Sequence, residues 1–101
     1  MNMIEIIRNN IVKGDFTLSS GKKSNYYLDS KKITLNSQSL LLASTLLLNM
    51  ILKYYPKTDS IGGTELGSIP ITAAILTLCA QQNIPMKGFI VRKQHKVCMT
   101  I

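Results

Sequence analysis

The sequence is poor in cysteine, proline, tryptophan and acidic residues: two Cys, three Pro, no Trp, and five Asp plus Glu in 101 residues. Cys79 lies inside an apolar helical run and Cys98 near the end, and neither has metal-ligand spacing, so both read as unpaired thiols of a reducing compartment. No internal repeat and no low-complexity linker interrupts the chain. The longest apolar region, Leu40 to Leu52, is too short to span a bilayer and is broken by Ser44, Thr45 and Asn49. The N-terminus places Glu5 and Arg8 among its apolar residues, and this is not the pattern of a secretory signal. The default expectation is a cytoplasmic protein with no membrane partner.

What is present is a core and an excess of positive charge. Apolar residues make up 46% of the chain and charged residues 17%, the balance of a globular protein. Twelve Lys plus Arg against five acids give +7, which points to an anionic partner. The cations are clustered as Lys22-Lys23, Lys31-Lys32 and Arg92-Lys93 with His95-Lys96. Clusters in loops suit a small anion better than the groove of a nucleic-acid duplex.

Met3, Ile4, Ile7, Ile11 and Val12 recur at helical spacing, so a helix is expected over 3–13 with Gly14 as its cap. Two extended pieces follow, 15–18 and 26–29, joined by the turn-rich 19–25 as a hairpin. Asn36 or Ser37 caps a helix that runs to about Tyr55, where Pro56 stops it. Its apolar residues lie on nearly every side, so cover by both a sheet and a partner surface is expected. Residues 60–63 read as a strand opening into a glycine turn, 68–82 as a helix with Pro70 in its first turn, and 87–92 as a buried strand. Helix, strand, helix, strand argues an α/β fold with a parallel sheet. Two parallel strands and a hairpin make a small sheet, so the chain is expected to be a partial domain that stops within its fold.

Three motifs carry chemistry. The block Phe16-Thr17-Leu18-Ser19-Ser20-Gly21-Lys22-Lys23-Ser24-Asn25-Tyr26-Tyr27-Leu28-Asp29 offers hydroxyls, backbone N–H groups, two lysines and aromatic faces, a set able to hold a planar anion. An ordinary hairpin with Tyr26 or Tyr27 in the core explains the same residues. The block Gly62-Gly63-Thr64-Glu65-Leu66-Gly67-Ser68-Ile69-Pro70-Ile71 is a glycine-rich turn before a helix N-terminus, where N–H groups lack partners and the helix dipole favours phosphate. It fits neither the Walker nor the dinucleotide fingerprint, and a structural turn accounts for its glycines equally. The block Phe89-Ile90-Val91-Arg92-Lys93-Gln94-His95-Lys96 delivers cations to the carboxyl end of a strand, where α/β sites form. A solvated charged loop is the plain alternative.

In this order and spacing, from about residue 3 to residue 96, the three blocks resemble the orotate phosphoribosyltransferases of the type I phosphoribosyltransferase family. The resemblance implies a helix and β-hairpin hood over 1–35, then the first half of a parallel-sheet α/β core over 36–101. It implies transfer of ribose 5-phosphate from phosphoribosyl pyrophosphate to N1 of orotate in pyrimidine synthesis, with Mg²⁺ bound mainly through the donor's oxygens. By the same resemblance, Ser20, Gly21 and Lys22 belong to the orotate loop, and Tyr27 and Leu28 pack against the pyrimidine. Gly62, Gly63, Thr64, Glu65, Leu66 and Gly67 form the pyrophosphate loop. Lys93 serves its own subunit, while Arg92 and Lys96 are the catalytic cations of a mobile loop over 92–101 that reaches the neighbouring subunit of a homodimer. Tyr27, Gly63 and Lys93 are therefore expected around one hollow.

The chain departs from the family at several points. Ser19 and Leu66 stand where some members have lysine, and Val97-Cys98-Met99 replaces the small or acidic residue and His-Gly that follow the loop lysine. No hydrophobic strand ending in paired aspartates and Thr-Thr-Gly or Thr-Ala-Gly occurs within the 101 residues, so the isolated chain is expected not to turn over. A small basic module that binds an anion without catalysis is the competing reading, and it predicts stable folding with ligand-induced stabilisation. Nucleic-acid binding ranks below both.

Overall fold

The computed structural model describes residues 2–17, 21–92 and 99–100, without the side chains of Phe16, Met99 and Thr100. The first helix, α1 (Met3–Asn9), begins where the Asn2 side chain accepts from the Glu5 N–H at 2.9 Å. It ends at Asn9, earlier than its apolar spacing suggests, because Asn10 Nδ2 donates to the Ile6 carbonyl at 2.8 Å and closes the last turn. The β-branched Ile11 and Val12 then enter a strand, β1 (Ile11–Thr17), opposite Leu28 and Tyr27 of β2 (Lys23–Leu28). Gly14 is thus no helix cap. It occupies the irregularity between Lys13 and Phe16 with φ 155°, a backbone angle that suits glycine at a bulge. The antiparallel hairpin is as expected, with both strands beginning before the predicted pieces.

A one-turn helix, α2 (Lys31–Thr34), follows the hairpin and was not predicted. Four residues show too little periodicity to register. Tertiary contacts hold it: Ile33 and Thr34 are buried, and Ser39 Oγ donates to the Ile33 carbonyl at 2.6 Å. The long helix α3 (Ser37–Tyr54) starts as expected, with Asn36 Oδ1 accepting from the N–H groups of Gln38 at 3.1 Å and Ser39 at 3.2 Å.

Strand β3 (Ser60–Thr64), helix α4 (Ile69–Gln81) and strand β4 (Lys87–Val91) form the expected β-α-β unit, with β3 and β4 parallel from Ser60↔Lys87 to Thr64↔Val91. Residues 99–100 form β5 (Met99–Thr100), antiparallel to β4, so the described order of this sheet is β3-β4-β5. No strand had been expected there.

The core joins Leu48 of α3 to Ile75 and Cys79 of α4, with Leu52, Ile61, Ile71, Leu78, Ile84 and Met86 packed around them. Burial raises the thiol pKa of Cys79 above its ordinary value. Within this chain α3 is covered only in part. Its buried residues are Ser39, Ala43, Ser44 and Leu48, while Leu41, Leu46 and Met50 remain exposed. Three small side chains and Leu48 make up its inner face. Among the described residues, no helix is long and apolar enough to cross a membrane.

Candidate functional site

The site builds from the junction between β3 and α4. Gly62 and Gly63, read from sequence as a turn, lie within β3 and are paired to Phe89 and Ile90. Their lack of a side chain permits close packing. A Cβ on Gly62 would collide with the Phe89 carbonyl oxygen and lie 2.6 Å from the Phe89 ring. On Gly63 it would lie 2.7 Å from Ser68 Cβ and 2.9 Å from Ser68 Oγ. Gly62 therefore lets Phe89 of β4 lie close against β3, and Gly63 lets the start of α4 approach the strand.

The turn itself spans Glu65 to Ser68. Glu65 N–H donates to the Val91 carbonyl at 3.0 Å, Ser68 N–H to Thr64 at 3.3 Å, and Ile69 N–H to Leu66 at 3.0 Å. Ser68 Oγ also donates to the Thr64 carbonyl, at 2.5 Å. The peptide between Glu65 and Leu66 is cis. Among the described residues, the N–H groups of Leu66 and Gly67 have no acceptor. They sit directly before α4, whose N-terminus lacks a side-chain cap and whose Pro70 has no N–H to satisfy. Two adjacent donors without described acceptors thus stand at the positive end of a thirteen-residue helix, where the backbone dipoles favour negative charge. The register Thr64↔Val91 then brings Arg92, the exposed residue after β4, to the same end of the sheet.

The predicted residues of the hairpin fall elsewhere. Gly21 has φ 86° and, like Lys22, is exposed. Tyr27 is 45% exposed and Leu28 36%. Leu28 lines a cavity of about 350 Å³ with Met3, Ile7, Ile33, Leu47 and Ile71 among its walls. A second cavity, about 380 Å³, is walled by Lys31, Thr34, Leu35, Leu66, Gly67, Ile69 and Pro70. Thr34 borders both, so hairpin and turn approach each other through α2. Tyr27 and Gly63 line neither cavity, and the single hollow expected around them is not what these cavities form: the close packing of Ser68 occupies the space beside Gly63. Ser20, Lys93 and Lys96 lie outside the described residues. Lys31 is the residue that sequence reasoning missed. It lines the second cavity with Thr34 and Leu35, at the i, i+3, i+4 spacing of one helical face, but that spacing had no meaning until α2 was known to exist.

A parallel β-α-β unit preceded by a helix and a hairpin is the fold of type I phosphoribosyltransferases over about half of their chain. The particular kinship is to orotate phosphoribosyltransferase, and the chain is a homologue of that enzyme. It is 40% identical to the orotate phosphoribosyltransferase of Rhodopirellula baltica, over 83% of this chain and 46% of the relative. It superposes on the crystal structure of the Francisella tularensis orotate phosphoribosyltransferase with TM-score 0.65 and 30% identity, covering 97% of this chain and 49% of that one. The Mycobacterium tuberculosis H37Rv orotate phosphoribosyltransferase, solved in complex with 5-phospho-α-D-ribosyl 1-diphosphate, matches with TM-score 0.66 and 27% identity over 96% of this chain and 53% of its own. No family model matches the chain. The chain spans about half the length of the curated relatives it matches.

Proposed function

We propose that this chain provides the hood and pyrophosphate-binding turn of an orotate phosphoribosyltransferase. The observation that carries the reading is the pair of unpaired N–H groups at Leu66 and Gly67, before α4 and beside the strand end that bears Arg92, in a homologue of that enzyme. In the reaction, the bond from ribose C1 to the pyrophosphate oxygen breaks and a bond from C1 to orotate N1 forms. Negative charge gathers on the departing pyrophosphate while C1 becomes oxocarbenium-like, so fixed donors placed at the leaving oxygens favour the transition state over the bound substrate.

The proposal treats residues 1–101 as one partial domain, with 1–35 as hood and 36–101 as the first half of the core. Ser20, Gly21, Lys22, Tyr27 and Leu28 face orotate. Gly62 to Gly67 and Lys93 hold the diphosphate, although Gly62 and Gly63 act through close packing rather than contact. Arg92 and Lys96 neutralise the leaving group across a homodimer. Exposed Leu41, Leu46 and Met50 leave α3 with apolar surface for a partner to cover. Among the described residues no three His, Cys, Asp or Glu side chains converge as a metal cage. By the same reading, Mg²⁺ would be bound through the donor's own oxygens, where it would supply charge neutralisation. A cytoplasmic setting completes the reading.

The test uses the purified 101-residue chain. Titration with inorganic pyrophosphate in a calorimeter is expected to show binding that weakens with added salt, and absence of any binding would remove the assignment. With orotate, phosphoribosyl pyrophosphate and Mg²⁺, no loss of orotate absorbance is expected, because these residues include no Asp-Asp-x-x-Thr-x-Gly segment for the ribose and its 5'-phosphate. That same feature favours the second reading, an anion-binding module without catalysis. Appearance of orotidine 5'-monophosphate on addition of a polypeptide carrying the missing segment favours the enzyme; continued pyrophosphate binding without product under those conditions favours the module.

A further inference from the structure

We infer that Lys31 is a further cation of the pyrophosphate seat, reaching it from the hood side, opposite the strand end that bears Arg92. This deepens the proposed function and rests on that reading of the turn. The short helix α2 is pinned by burial of Ile33 and Thr34 and by the hydrogen bond from Ser39 Oγ to the Ile33 carbonyl, so its backbone is held in place. Lys31, Thr34 and Leu35 form its face toward the cavity that Leu66, Gly67, Ile69 and Pro70 close from the other side. Leu66 and Gly67 are the two residues whose N–H groups lack acceptors, and Lys31 supplies the cation of that cavity.

The walls are otherwise almost entirely apolar. A lysine suits such a wall because its four-carbon stem lies along apolar surface while its ammonium stays at the opening. Walls of low polarity also screen a nearby anion less than open water does, so a lysine here acts more strongly than one on a free surface. Lys32, the next residue along the same helix, carries the same charge but does not line the cavity. It serves as the control, because long-range attraction alone treats the two lysines alike.

The experiment compares Lys31→Ala, Lys32→Ala and Lys31→Arg with the unmodified full chain, using inorganic pyrophosphate in calorimetry at two salt concentrations. Thermal melting without ligand checks that each variant folds. Lys31→Ala is expected to weaken pyrophosphate binding on the order of tenfold, as loss of one charge-assisted contact does, with Lys32→Ala changing it less than about twofold and Lys31→Arg restoring most of it. Equal effects from Lys31→Ala and Lys32→Ala overturn the inference while leaving the turn's role intact. If the unmodified chain binds no pyrophosphate, the turn assignment fails and the inference falls with it. Should Lys31→Ala melt below the unmodified chain, Lys31→Gln and Lys31→Met, which keep the stem without the charge, replace it: normal binding by these folded variants refutes the role of the ammonium.

Discussion

Replacing Gly63 by alanine tests the junction on which the site stands. Gly63 has no left-handed backbone angle, so alanine meets no conformational penalty there, and its whole cost comes from the space that Ser68 occupies. The added methyl would lie 2.7 Å from Ser68 Cβ and 2.9 Å from its Oγ, nearer than carbon and oxygen tolerate. Either β3 or the first turn of α4 must move. Overpacking of this kind costs roughly 2 kcal/mol, and in a chain of this size that lowers the melting temperature by about 10 °C. The displacement falls on the turn between them, so pyrophosphate binding should weaken as well. Ser68→Gly removes both clashing atoms; its own cost is the hydrogen bond to the Thr64 carbonyl, about 1 kcal/mol, which the single variant measures separately. The double variant should therefore recover most of the loss, giving a coupling of about 1–2 kcal/mol in a double-mutant cycle by urea melting. Additive effects, or a Gly63→Ala chain as stable as the original, would refute the close approach of strand and helix. Gly62→Ala offers no such rescue, because its methyl would meet the backbone oxygen of Phe89.

Other measurements address the core. Ser44 is fully buried and, among the described residues, its hydroxyl has no hydrogen-bond partner. Ser44→Ala removes that uncompensated group and improves helix propensity, so denaturant melts should show stabilisation of up to about 1 kcal/mol; a clear loss would mean that the hydroxyl has a partner. Cys79 is 1% exposed and its thiol pKa is raised by burial. The folded state thus favours the neutral thiol, and the associated stability is complete below the unfolded thiol's pKa and declines as pH climbs from there toward the folded value. Alkylation of Cys79, followed by peptide mass mapping, should be slow until the chain unfolds, and prompt labelling of the folded chain would contradict its burial.

Local chemistry accounts for what was legible in the sequence. Asn36 before an apolar run marks the start of α3, Pro70 marks the first turn of α4, and the alternation of helical and extended segments specifies the parallel β3–β4 pair. The glycine-rich segment before α4 marks the junction of strand and helix. Elsewhere, pairing partners distant in sequence decided the outcome. Ile11 and Val12 continue a helical pattern locally, yet Leu28 and Tyr27 draw them into a hairpin. Gly62 and Gly63 look like turn residues, but Phe89 and Ser68 need the space that their missing side chains leave. Lys31 belongs to a run of two similar lysines until the burial of Ile33 and Thr34 orients a single turn of helix. Sequence determines which groups are available and which local geometries they prefer; tertiary structure decides which distant atoms compete for the same volume, and so which donors and cations come to lie near one another.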